Sequence, residues 1–218
     1  MTRDRRPHSL GGFARAGFQD LSGARDSLTA LSRAVGRPVP QLLEAFGDAA
    51  DPDAALARIS AIAGAHPGAL HGLGDEEWPR LTLLVGASPA LGDFFARRPE
   101  RLVEILARGG RLVGEEEART ELLRAVGAGD TALPGGGAGH PIAREGGEAA
   151  WNALRARYRE LLAEIVLHDL GRGLAGEAPD AFEGVAASLS DLAAAALGAA
   201  LAVARAALIA GGNGAPVT

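Results

Sequence analysis

Residues 148–170 read EAAWNALRARYRELLAEIVLHDL, and this stretch decides the fold class. Trp151, Leu154, Tyr158, Leu161, Leu162 and Ile165 fall within a stripe roughly 100° wide at 3.6 residues per turn, while Arg157, Glu160 and Glu164 lie on the other side. The spacing predicts an amphipathic helix over about Glu148–Leu170, with one face packed and one wet. A second long helix is predicted over about Val185–Ala210, where Ala occupies so many positions that the backbone can approach neighbours closely. Nowhere does polar/apolar alternation run for six residues or more, so no sheet is expected. The expected fold is an all-α multi-helix bundle closed by two long helices.

Upstream, Pro and Gly punctuate the chain into shorter helices. Ser22–Val35 carries Leu28, Leu31 and Val35 at helical steps, and Pro38 and Pro40 restart the chain into Gln41–Ala49. Asp51-Pro52-Asp53 opens a helix through Leu56, Ile59 and Ile62 that Gly64 is expected to stop. Glu76–Val85 should turn Trp78, Leu81 and Leu84 inward and end at Gly86. Ser88-Pro89 reads as an N-cap followed by the first helical residue, because Pro lacks the N–H that would be unpaired there. Pro99 should start the next helix, and Glu115–Val126 places its acidic residues in the first turn, where the helix dipole favours them. Residues 127–147 hold eight Gly and two Pro and read as a connection without a packing face. The expected organisation is therefore 1–127 short helices, 128–147 a flexible Gly/Pro-rich linker, 148–210 the long helix pair and 211–218 a tail.

The chain has 218 residues and a net charge of −5. All 22 basic residues are Arg, which fits a GC-rich genome. A net negative charge and few aromatic rings argue against nucleic acid as a partner, since phosphate binding needs a basic surplus and single-strand binding needs stacking platforms. The absence of Cys excludes disulfides and thiol chemistry. The N-terminus lacks the apolar core of a signal peptide. Leu192–Ala210 is apolar enough to raise a membrane span, but Arg205 and the weakly inserting alanines favour a packing helix. No membrane partner and a cytoplasmic location are expected.

No constellation carries chemistry by itself. Gly171-Arg172-Gly173-Leu174-Ala175-Gly176 spells G-x-G-x-x-G, but it follows a helix, where the dinucleotide fingerprint needs a strand, so it reads as a helix end. Asp51 and Asp53 have the spacing of a metal-binding carboxylate pair, yet an N-cap explains them. Ser190-Asp191 lacks the second Asp of an S-D-x-D signature. Residues 134–139 are Gly-rich without the Lys of a P-loop. His8, His66, His71, His140 and His168 show no metal-helix spacing. Catalytic, cofactor-binding and metal residues are therefore expected to be absent. Arg155 and Arg159, four apart on the long helix, are the candidate contacts for a phosphate or for a partner's acidic groups.

Two stretches together resemble the glutamine-synthetase adenylyltransferase/adenylyl-removing family, in its actinobacterial form. The first is Leu84-Val85-Gly86-Ala87-Ser88-Pro89-Ala90-Leu91-Gly92-Asp93-Phe94-Phe95-Ala96-Arg97-Arg98-Pro99-Glu100, similar to the family's G-x-S-x-x-L-x-x-x-L-x-R-x-P-E segment. The second runs from Leu154-Arg155 through Tyr158-Arg159 and Ile165 to His168-Asp169-Leu170, then Leu189-Ser190-Asp191-Leu192-Ala193. One departure is Glu164, where the family usually has Arg. The resemblance implies an N-terminal helical region of a two-headed enzyme that attaches AMP from ATP to a tyrosine of glutamine synthetase and removes it by phosphorolysis, under a PII-type regulator. It implies Mg and ATP for the full-length family, and a nucleotidyltransferase domain after the tail. The region itself, without the catalytic motif, is expected to be a docking or supporting module with no cofactor. The alternative is an independent α-helical scaffold or protein-interaction domain.

Overall fold

The computed structural model describes residues 10–128, 140–174 and 181–211, with the side chains of 173, 174 and 181 excepted. Among these residues there are ten α-helices and no strand. The all-α expectation holds. The chain divides into two compact units: Met1–Gly110 with Val166–Glu177, and Arg111–Ile165 with Ala178–Thr218.

The first unit contains α1 (Leu10–Arg15), α2 (Leu21–Val35), α3 (Val39–Ala45), α4 (Pro52–Ala65), α5 (Glu77–Ala87), α6 (Pro89–Phe95) and α7 (Pro99–Arg108). Helix α4 packs against both α2 and α5. Leu28, Phe46, Ile59, Ile62, Trp78, Leu81 and Leu84 are all buried there. Phe18 tilts against Phe13 and Phe46 at 5.7 and 5.6 Å between ring centroids, and Phe94 meets Phe95 edge-on at 4.8 Å, geometries that the aromatic quadrupole favours.

Helix starts follow local chemistry. The Asp51 carboxylate accepts from the Ala54 N–H at 2.9 Å, and the Ser88 hydroxyl accepts from that of Leu91 at 3.3 Å. Each cap is followed by Pro at the first helical position, as the sequence predicts. The expected stops at Gly64 and Gly86 fail. Helix α4 continues to Ala65 and α5 to Ala87, because a single helical Gly costs only about 1 kcal/mol and packing along the helix outweighs it.

The second unit contains α8 (Glu115–Ala125), the first part of α9 (Glu148–Leu174) and α10 (Ala181–Ala210). Helix α8 packs along α10, over a core that includes Val113, Leu122, Leu154, Leu161, Ile165, Leu192, Ala199 and Val203. Helix α9 runs on past Leu170, so Gly171 does not end it. The end of α9 belongs to the first unit.

These units do not follow the expected organisation. The chain changes unit at Gly110, and α8 joins the long helices instead of the short ones. The part of the Gly/Pro-rich stretch that is described, 140–147, also packs. Ala143 is buried in the core of the second unit, its N–H donates to the Ala202 carbonyl at 3.0 Å, and that of Arg144 donates to Val126 at 3.2 Å. Residues 129–139 lie outside the described residues.

Candidate functional site

Helix α9 carries Arg155, Arg157 and Arg159 at alternate positions, so the first and third share a face and the second lies on another. Arg155 and Arg159, the two candidates from sequence, are both exposed. The Arg155 Nη1 lies 3.4 Å from the Asn152 side-chain oxygen, one turn back. Arg157, between them in sequence, is drawn inward. Its Nη1 donates to Glu160 at 2.7 Å, and its Nη2 lies 3.1 Å from a Glu121 oxygen on α8.

The face expected to be wet is therefore covered. Glu160 is 5% exposed and Glu164 is 0% exposed. A buried carboxylate persists when an opposing charge compensates its lost hydration, and each has one. The Glu164 Oε2 lies 2.6 Å from the Nε of Arg111, whose backbone N–H donates to the Glu164 carbonyl at 3.0 Å. Arg111 also donates from Nη1 to Glu117 at 2.8 Å. The hydrogen bond from Arg111 holds the Glu117 carboxyl below its ordinary pKa. Reciprocally, that bond and the nearby Glu164 charge raise the Arg111 guanidinium further. Arg111, Arg157 and their four carboxylates thus join α8, α9 and the chain between the units' boundary and α8.

Sequence patterning missed a second tie. Ser188 on α10 is buried, and its hydroxyl both accepts from the Val113 N–H and donates to the Val113 carbonyl, each at 2.8 Å. Nothing in the local sequence signals it, since the two residues meet only through the fold.

Between α8 and α10 lies a groove of about 240 Å³, lined in part by Glu115, Arg119, His140, Gly198, Leu201 and Arg205. The Arg205 Nη1 donates to the Pro141 carbonyl at 3.2 Å. The lining is largely apolar and carries both signs of charge, with Arg119 and Arg205 beside Glu115.

The remaining motifs resolve into structural roles. The Asp51 carboxylate caps α4, and that of Asp53 accepts from the Gln19 N–H at 2.8 Å. The Ser190 hydroxyl donates to Ala186 within α10. His66 and His71 bond the carbonyls of Ala96 and Ala34 through Nε2. Gly171 and Arg172 lie within α9, which rules out the strand-to-helix turn of a dinucleotide site, while 175–180 lie outside the described residues, as do 134–139 and His8. Among the described residues no three His, Asp or Glu side chains converge as a metal site requires.

No family model matches the chain, and no solved structure matches it. Curated relatives do. The chain is 41% identical over 209 residues to the bifunctional glutamine synthetase adenylyltransferase/adenylyl-removing enzyme of Leifsonia xyli subsp. xyli, covering 94% of this chain and 19% of that one. It is 38% identical over 205 residues to the protein of the same name from Bifidobacterium longum subsp. infantis, covering 88% of this chain and 18% of that one. Along 94% of its own length the chain is thus a homologue of a segment of the bifunctional glutamine synthetase adenylyltransferase/adenylyl-removing enzymes, and it spans about a fifth of the length of those relatives.

Proposed function

We propose that this chain is a helical supporting module of a cytoplasmic enzyme that attaches AMP to glutamine synthetase and removes it, with the chemistry carried by a nucleotidyltransferase domain outside these residues. The observation that carries the reading is the 41% identity over 209 residues to an enzyme named for both activities. The acidic side chains with the most suggestive positions add support. Glu117, Glu121, Glu160 and Glu164 are engaged by Arg111 and Arg157, and Asp51 and Asp53 by backbone N–H groups. Carboxylates spent on fixing helices are poor magnesium ligands. In this reading Mg and ATP act at the catalytic domain, and the module binds neither.

In the same proposal α9 offers Arg155 and Arg159, exposed and one turn apart, to acidic groups of glutamine synthetase or of a PII-type regulator. Titration of the 218-residue chain with ATP and magnesium in a calorimeter should give no micromolar binding. Biolayer interferometry should detect association with immobilised glutamine synthetase, and the R155E/R159E double substitution should weaken it about tenfold, equivalent to about 1.4 kcal/mol. Micromolar ATP binding, or association with glutamine synthetase that ignores the double substitution, would overturn the corresponding part of the reading.

A further inference from the structure

We draw no further inference here: the strongest candidate, the exposed apolar face of α10 along Phe182, Leu189, Leu197, Leu201 and Leu208, carries nothing, because nothing among the described residues shows what covers it.

Discussion

Glu164 and Arg111 are pinned to each other twice, once by an ion pair of 2.6 Å between side chains and once by a 3.0 Å hydrogen bond from the Arg111 N–H to the Glu164 carbonyl. Removing one member of a buried pair leaves the other uncompensated, which costs more than the pair contributes. Arg111→Ala should therefore destabilise the chain by about 2–3 kcal/mol, toward the low end for buried pairs because Arg111 retains contact with solvent. Replacing both, as R111M with E164L, should recover part of that loss. Urea unfolding midpoints check both expectations, and a double variant worse than R111A would contradict them.

The same network sets a pH dependence. The folded state holds the Glu117 carboxyl below its ordinary value through the Arg111 hydrogen bond, so its contribution is fully present above the unfolded value of about 4.3 and fades as pH falls through the folded one. Stability should drop on acidification in that window, and E117Q should drop less. Both groups are partly open to water, so high salt should shrink the difference. Thermal melts from pH 6 to pH 3 or so at low and high salt give the comparison.

How much of this was legible beforehand depends on what each residue answers to. The stripe on α9 placed Leu154, Leu161 and Ile165 in the core, because apolar burial is encoded in local spacing. The opposite face reads as wet from sequence, because a carboxylate alone belongs in water. Arg111, which meets Glu164, and Glu121, which meets Arg157, come from other elements, and no periodicity in 148–170 reports them. Ser188 was equally invisible, and so was the packing of Ala143 within a stretch whose glycines suggested a free connection. Arg155 and Arg159 were legible as surface groups, but not what they meet.

Two glycines are close-approach sites. A Cβ on Gly110 would fall 2.0 Å from the His168 backbone nitrogen, and one on Gly146 would fall 2.2 Å from that of Ala207. Neither backbone can yield cheaply, so Gly110→Ala and Gly146→Ala should each cost about 2 kcal/mol or more. Gly64, inside α4 with open space around it, should behave oppositely, with Gly64→Ala stabilising by about 0.5–1 kcal/mol. Melting temperatures of the three variants separate the cases.

Ser188→Ala removes the partner of both polar groups of Val113 at a buried position. An unsatisfied buried N–H costs about 1–3 kcal/mol, and amide exchange at Val113 should accelerate correspondingly. Unchanged exchange there would mean that the clasp is not formed in solution.

The proposed supporting role has one decisive assay. Purified chain is incubated with adenylylated glutamine synthetase, phosphate and magnesium, and separately with the unmodified enzyme and ATP, and AMP on glutamine synthetase is followed by intact-protein mass spectrometry. No change in either direction is the outcome foreseen for a module in which Glu117, Glu121, Glu160 and Glu164 are committed to arginines and Asp51 to a helix start. Gain or loss of AMP driven by these 218 residues alone would contradict it.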